Sequence, residues 1–268
     1  MTLTTLLLSD TNRKVSCRTQ GAGEPLVLIH GVGMQSAAWG PQLAYFAPRY
    51  RVIALDMPGH GRSDPLPPAS QLPQYVDWCR AAIDALGVGA ANLAGHSMGA
   101  LIAGGMAVRH PHLVRRVALL NGVFRRDDVA KAAVQARAAE IRNGDIDLDT
   151  PLARWFGAHH TDARMQVAAW LGAVDATGYA TAYAAFANGD AAYSDCFSKI
   201  ACPFLAMTGD DDPNSTPAMS RAMGAAVQDG RAVAIKGHRH MINLTAADEV
   251  NEHLLHWLRT PVKTEETQ

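Results

Sequence analysis

A serine flanked by glycines, Ser97, stands in a setting that suits nucleophilic chemistry. It lies in Gly95-His96-Ser97-Met98-Gly99, directly after an apolar run and directly before a small-residue segment of helical composition. A G-x-S-x-G sequence between a strand and a helix is typical of a sharp turn that exposes a nucleophilic hydroxyl. The amino end of the following helix also favours developing negative charge. The sequence therefore predicts Ser97 as a nucleophile.

A serine hydroxyl needs a base to remove its proton and a third group to orient that base. Three aspartates, Asp210 to Asp212, follow the apolar run at 204–209, and only one of them can serve. We choose Asp212, because Pro213 fixes the backbone after it and leaves its side chain at the apex of a loop. The other two aspartates are expected to be solvated or to cap backbone groups.

The predicted base comes from Gly237-His238-Arg239-His240, which follows the apolar run at 232–236. His240 is favoured, and His238 remains the alternative. Two histidines separated by a single residue could also bind a metal ion. No further ligands stand at a fixed spacing, so no metal site is predicted. Because the carboxyl ends of parallel strands meet at one edge of a sheet, the acid and the base are both expected near Ser97.

An acyl-transfer site also needs backbone N–H groups directed at the oxyanion that develops on the carbonyl. The residue after the nucleophile, Met98, provides the first predicted donor. His30-Gly31-Val32-Gly33 forms a glycine-lined turn after another apolar run, and the Val32 amide is the second predicted donor. The full spacing of a nucleotide-binding glycine loop is missing, which argues against that alternative.

Short apolar runs alternate with helical patterns along most of the chain, as in a parallel sheet that is covered on both faces. The runs lie at 26–30, 52–56, 92–96, 117–121, 204–209 and 232–236. The interval 124–190 is different, because it is rich in Ala, Arg and Gln and has no convincing strand. We therefore predict an α/β fold with a mostly parallel sheet flanked by helices. Its core would comprise 1–123 and 191–268, with a helical cap at 124–190.

The charges nearly balance, with 24 Lys plus Arg against 25 Asp plus Glu and a formal net charge of -1. This balance gives no electrostatic reason to expect nucleic acid or an anionic membrane as a partner. No run approaches the roughly 18 apolar residues of a membrane span, and no secretion signal is recognisable, so the expected compartment is the cytoplasm. We expect a small-molecule substrate and no cofactor, and we leave a homodimer open.

The chain resembles the α/β-hydrolase superfamily over nearly its full length. The resemblance rests on HGVGMQSAAWGPQL at 30–43, DMPGHGRSD at 56–64, GHSMG at 95–99, GDDDP at 209–213 and GHRHMINL at 237–244. It implies Ser97 as nucleophile, Asp212 as acid, His240 as base, and the Val32 and Met98 amides as oxyanion donors. One departure is Arg239, which stands where the usual G-x-G-H has glycine, and this keeps His238 in contention. Ser97 itself differs from haloalkane dehalogenases and epoxide hydrolases, which place Asp at this position.

A narrower resemblance concerns the segments 153–157 and 174–190, which are similar to the caps of 3-oxoadipate enol-lactonases and amidomethylene-succinate hydrolases. It implies a small, carboxylate-bearing catabolic intermediate, cleaved through an acyl-enzyme at an ester, lactone or activated (enamide-type) amide bond. Arginines suit such carboxylates because guanidinium binds them bidentately. The predicted cap supplies Arg125, Arg126, Arg137, Arg142 and Arg154.

From these residues we select a set of substrate-binding candidates, namely His30, Arg125, Arg154 and Trp155. Two other functions remain open. The same triad could hydrolyse a C–C bond in ring-cleavage diketones. The chain could also be a ligand-binding, receptor-like protein with low turnover.

Overall fold

A computed structural model describes residues 1–144, 147–157 and 160–262. Its strands are β1 Thr2–Leu7, β2 Lys14–Gln20, β3 Glu24–Ile29, β4 Tyr50–Leu55, β5 Ala91–His96, β6 Val114–Leu120, β7 Phe204–Gly209 and β8 Gly230–Ile235. They form one sheet in the order β1-β2-β4-β3-β5-β6-β7-β8. The pairs β1–β2 and β2–β4 are antiparallel, and every other pair is parallel. This architecture confirms the predicted fold class.

The helices are α1 Gly40–Phe46, α2 Leu72–Leu86, α3 Met98–Arg109, α4 Asp128–Arg142, α5 Asp149–Trp155, α6 Thr161–Gly172, α7 Ala176–Gly189, α8 Pro217–Ala225, α9 Ile242–Thr245 and α10 Ala247–Leu258. None of the described helices is long and apolar enough to cross a membrane.

The central strands of the sheet are buried on both faces, which explains why they are mostly apolar. In β3, Leu26 and Leu28 pack in the cluster that contains Trp39 from the segment before α1 and Trp257 from α10. The alternate residues of β3 join the cluster on the opposite face, which includes side chains of α2 and α3. Side chains alternate along a strand, so a strand covered on both faces needs apolar residues at every position.

Helices α4 to α7 lie between β6 and β7, within the interval 124–190. Two of them begin at aspartates that cap their first turns. The Asp127 carboxylate accepts a hydrogen bond from the Ala130 amide at 2.8 Å, and the Asp175 carboxylate accepts one from the Gly178 amide at 2.7 Å. Such caps satisfy amides that a helix leaves without an internal partner.

Helix α7 approaches the rest of the molecule at a contact between two glycines. A Cβ placed on Gly59 would lie 2.5 Å from the Gly178 Cα, and one placed on Gly178 would lie 2.5 Å from the Gly59 Cα. Real side chains do not tolerate such distances, so both positions need glycine. The loop after β4 therefore contacts α7 backbone to backbone.

Candidate active site

Ser97 occupies the turn between β5 and α3, with φ 54° and ψ −114°. The flanking glycines allow this turn because three backbone segments meet there. A Cβ on Gly95 would lie 2.0 Å from the Gly99 carbonyl oxygen, and one on Gly99 would lie 2.1 Å from the Ile29 carbonyl oxygen. Backbone strain of this kind is characteristic of functional sites, where the surrounding structure maintains it. The turn holds Ser97 at the wall of a pocket.

The loop after β3 passes directly beside this serine. A Cβ on Gly31 would lie 3.0 Å from the Ser97 Cβ, and Val32 lines the same pocket as Ser97. Within the described part of the chain, the amides of Val32 and Met98 donate no hydrogen bond to another protein group. These two N–H groups are therefore available to an oxyanion beside Ser97.

His240 lies in the pocket wall together with Ser97, and its imidazole contacts Asp212. The distance from His240 Nδ1 to Asp212 Oδ2 is 2.8 Å. An ionised carboxylate only accepts hydrogen bonds, so Nδ1 carries the proton and Nε2 is left as a basic nitrogen. This is the tautomer that a general base needs when it removes a proton from serine.

The Asp212 carboxylate is buried and accepts further hydrogen bonds. Asn121 Nδ2 donates to Oδ2 at 2.9 Å, and the Asn214 amide donates to Oδ1 at 2.8 Å. Burial alone would raise the pKa of Asp212, but attraction to His240 and the hydrogen bonds from His240, Asn214 and Asn121 together hold that pKa below its ordinary value. The carboxylate therefore stays ionised and keeps His240 oriented.

The two candidate histidines are in different surroundings. His238 Nδ1 lies 2.9 Å from Thr245 Oγ1 and is not part of the pocket wall. The backbone of His240, by contrast, is held on both sides, since its N–H donates to the Trp155 carbonyl at 3.2 Å and its carbonyl lies 2.8 Å from His96 Nε2. Of the two histidines, only His240 contacts Asp212 among the described residues.

Three more histidines, His30, His60 and His96, are buried around the loops of the site. Burial lowers the pKa of His60 to about 4 and that of His96 to about 3, and it also lowers the pKa of His30 well below its usual range. Neutral imidazoles can both accept and donate. His60 Nε2 accepts from the Gly33 amide at 2.9 Å, and His30 Nε2 accepts from the Met57 amide at 2.9 Å. These bonds fix the loop that carries Val32.

The pocket has a volume of about 220 Å³, and three arginines, Arg126, Arg137 and Arg154, line it. Burial raises the pKa of Tyr183, another lining residue, and the charges of all three arginines partly oppose that rise. The guanidinium groups therefore converge on one region. Carboxylates partner two of them, because Arg126 pairs with Asp190 and Arg137 with Glu140. Within the described residues Arg154 makes no ion pair, so the pocket has an excess of positive charge.

Arg126 is the most deeply buried of the three arginines, with 5% of its side chain exposed. Its Nη1 donates to the Asp190 carboxylate at 2.9 Å, and its guanidinium lies 4.5 Å from the centre of the Phe186 ring. Burial lowers the pKa of this guanidinium, an effect that Asp190 opposes. Its Nη2 is buried and has no hydrogen-bond partner in the described structure.

The four residues predicted to bind substrate divide into two pairs. Arg154 and Trp155 are in the pocket wall, where the Trp155 ring stacks on the His240 imidazole with 5.9 Å between centroids. His30 and Arg125 require correction, because the structure does not bring them to the pocket. His30 uses both ring nitrogens on backbone groups, and Arg125 is exposed and pairs with Asp195.

Sequence analysis missed several residues of the site. Asn121 ends the apolar run of β6, and its position at the carboxyl edge of the sheet was the available signal. It adopts φ 47°, which points its amide at Asp212. Tyr183 and Phe186 lie three residues apart on α7, and their aromatic character alone did not distinguish a pocket wall from a core. No group of three metal-ligating side chains lies close together in the described ranges.

The model of the family with the alpha/beta hydrolase fold matches residues 24–247 of the chain. The chain is also 50% identical over 258 residues to the (E)-2-((N-methylformamido)methylene)succinate hydrolase of Acinetobacter baylyi, which covers 96% of this chain and 98% of that one.

Solved structures with the same fold include an enol-lactonase from Burkholderia xenovorans, with a TM-score of 0.85, 24% identity and coverage of 95% of this chain and 99% of that chain. A thermophilic esterase from Thermogutta terrifontis has a TM-score of 0.87, 21% identity and coverage of 97% and 98%, respectively. At these identities the two structures support the fold alone. Taken with the family match and the relative of similar length, they lead to one conclusion: the chain belongs to the α/β-hydrolase family and is a hydrolase.

Proposed function

We propose that this protein is a serine hydrolase that cleaves an activated, enamide-type amide bond in a small dicarboxylate. The observation that carries the proposal is the convergence of three guanidinium groups on the pocket that Ser97 and His240 line. A site that binds a neutral ester has no need of this charge. The relative with 50% identity supports the choice of substrate, since its name describes an N-formylated enamide of a methylenesuccinate.

In the proposed mechanism His240 Nε2 removes the proton of Ser97 as Oγ attacks the amide carbonyl. Asp212 stabilises the imidazolium that forms and keeps its proton on Nδ1. The amides of Val32 and Met98 donate to the oxyanion of the tetrahedral intermediate. Collapse of that intermediate breaks the C–N bond, and His240 gives the proton to the departing enamine nitrogen. Water, activated by the same histidine, then releases the acid from Ser97.

The substrate carboxylates would bind to the arginine wall. Arg154 is the principal candidate because it makes no ion pair among the described residues. Arg137, by contrast, already donates to the Glu140 carboxylate and to the Asp147 carbonyl. Placing both carboxylates on this wall leaves the scissile amide at the other side of the pocket, beside Ser97. In this proposal the interval 124–190 is a cap, since Arg126 just before α4, together with α4, α5 and α7, supplies the arginines and aromatic rings that line the pocket with the serine.

The test compares hydrolysis of (E)-2-((N-methylformamido)methylene)succinate with that of p-nitrophenyl acetate. Ser97→Ala and His240→Ala are expected to lose about three orders of magnitude or more in kcat on both substrates, because the parts of a triad act as one unit. His238→Ala is the matched control and is expected to stay within a few-fold of the wild type. Arg154→Met is expected to raise KM for the dicarboxylate about tenfold more than KM for the neutral ester, as the loss of a charge-assisted hydrogen bond predicts.

Other outcomes would support different functions. Turnover of a ring-cleavage diketone without turnover of the enamide would favour C–C bond hydrolysis on the same triad. Stabilisation by the dicarboxylate with negligible turnover would favour a ligand-binding protein. Equal activity of Ser97→Ala and the wild type would contradict the proposed nucleophile.

A further inference from the structure

Arg239, which directly precedes His240, directs its guanidinium at the carboxyl end of α5. Its Nη1 donates to the Ala153 carbonyl at 3.1 Å and to the Phe156 carbonyl at 3.3 Å. The last carbonyls of a helix have no partner within the helix and carry partial negative charge, so a cation is favourable there. Arg239 therefore has a defined structural role, which is to hold the end of α5.

The next residue, His240, contacts the same turn. Its backbone N–H donates to the Trp155 carbonyl at 3.2 Å. Its imidazole also lies against the Trp155 ring, with an interplanar angle of 25°. Three hydrogen bonds and one ring contact thus join residues 239–240 to residues 153–156. We call this set of interactions the α5 contact.

The opposite side of the His240 backbone is fixed by the sheet. The carbonyl of His240 accepts from His96 Nε2 at 2.8 Å, and His96 is the last residue of β5. Asp212 holds the ring through Nδ1. The position of the base therefore depends on three partners, of which two belong to the sheet edge and one is the α5 contact.

Helix α5 also carries Arg154, whose exposed guanidinium lines the pocket. A substrate carboxylate bound to Arg154 thus acts on the same short helix that contacts His240. Arg154 and Trp155 are adjacent in sequence. The same short helix therefore carries the candidate carboxylate-binding residue and the residue that contacts His240.

We propose that Arg239 is a positioning residue that couples carboxylate binding on α5 to the alignment of His240. The proposal rests on the proposed function, because it requires Arg154 to bind a substrate carboxylate. A dicarboxylate substrate then improves its own turnover by drawing α5 onto the base. A neutral ester, which does not engage Arg154, gains nothing from this coupling.

The kinetic test uses Arg239→Ala, the conservative variant Arg239→Lys, and Lys236→Ala as a matched control. Lys236 is an exposed cation in the same loop, three residues before Arg239. For Arg239→Ala we expect kcat on (E)-2-((N-methylformamido)methylene)succinate to fall at least tenfold more than kcat on p-nitrophenyl acetate, with KM for the dicarboxylate within threefold of the wild type. Arg239→Lys should recover part of that kcat, and Lys236→Ala should match the wild type on both substrates.

Two kinetic results would overturn the proposal. An equal loss of kcat on both substrates would mean that Arg239 supports the site without coupling it to carboxylate binding. A rise in KM for the dicarboxylate with unchanged kcat would mean that Arg239 binds the substrate directly.

Backbone hydrogen exchange with succinate as the probe provides a second readout that needs no turnover. In the wild type, saturating succinate is expected to slow exchange of the His240 amide at least tenfold, together with the amides of α5. In Arg239→Ala, succinate should slow α5 but change His240 less than twofold. If succinate slows α5 but leaves His240 unchanged in the wild type, the coupling is refuted while the proposed function stands. If succinate slows neither segment, both the carboxylate site and the coupling that depends on it are refuted.

Discussion

Replacing Asn121 by glycine tests whether the support beneath Asp212 contributes to stability and to catalysis. Asn121 is fully buried, and its Nδ2 donates to Asp212 at 2.9 Å, to Thr208 Oγ1 at 3.1 Å and to the Arg239 carbonyl at 3.2 Å. A hydrogen bond to a charged group contributes about 1.5–3 kcal/mol, so Asn121→Gly should lower the free energy of unfolding by at least that amount. Asn121→Ala should cost about 1–2 kcal/mol more, because φ is 47° and only glycine adopts this region freely.

A second asparagine separates the backbone effect from the hydrogen bond. Asn12 has φ 54° and is exposed, and no hydrogen bond from its side chain is seen in the described structure. Asn12→Gly should therefore change stability by less than about 0.5 kcal/mol, while Asn12→Ala should show the backbone cost alone. Subtracting the change in unfolding free energy of each Asn12 variant from that of the corresponding Asn121 variant isolates the contribution of the Asn121 side chain.

The measurements are urea unfolding and kcat at pH 7. The lowered pKa of Asp212 means that its ionisation stabilises the folded state above about pH 4, and that this contribution is lost as the pH falls through the lowered pKa. Removing Asn121 raises that pKa, so the full difference between variant and wild type is present at pH 7. If about 1.4 kcal/mol of the lost interaction acts in the transition state, kcat falls about tenfold. A loss of stability below 0.5 kcal/mol in Asn121→Gly, with kcat unchanged, would refute the reasoning.

Three further perturbations follow from burial and close packing. Asp190→Ala should cost about 3–5 kcal/mol in urea unfolding, because it leaves a buried cation without a partner, whereas Asp195→Ala, at an exposed pair, should cost less than about 1 kcal/mol. Gly99→Ala should abolish activity, because its Cβ would lie 2.1 Å from a backbone carbonyl oxygen of β3; near-normal kcat would contradict this packing. The buried imidazoles of His60 and His96 resist protonation, so stability should fall by about 1.4 kcal/mol per pH unit for each of them as the pH drops from about 6.5 toward their lowered pKa values. Urea unfolding at pH 7 and pH 5 measures that loss, and equal stabilities would exclude it.

The fold was predictable because a parallel sheet covered on both faces leaves a strong pattern. The central strands are mostly apolar runs, and helical patterns separate these runs. The antiparallel strand β2 was missed, since Lys14–Gln20 mixes charged, polar and apolar residues at the margin of the sheet. Element bounds also moved by a few residues. For example, the run predicted at 117–121 belongs to a strand that begins at Val114.

The candidate site was predictable where the backbone dictates the residue type. Glycines at close approaches and polar residues after parallel strands are both visible in the sequence. The orientation of a loop side chain was not predictable, because two neighbouring residues on a loop can point in opposite directions. Arg125 faces outward toward Asp195, and Arg126, one position later, is buried in the pocket wall. The position of Asn121 at the sheet edge was visible in the sequence, but its bond to Asp212, 91 residues away, was not.

The contact between Gly59 and Gly178 has a consequence for how the substrate range can change. Neither residue can gain a side chain without moving a backbone, so α7 is a fixed wall of the pocket. Helices α4 and α5 contain no glycine, so neither has a glycine-to-glycine junction of this kind. Directed evolution toward larger substrates should therefore accumulate changes at lining positions such as Ala130 and Val134 on α4 and Thr150 on α5. Libraries built on the Gly59–Gly178 junction should mostly yield proteins that do not fold.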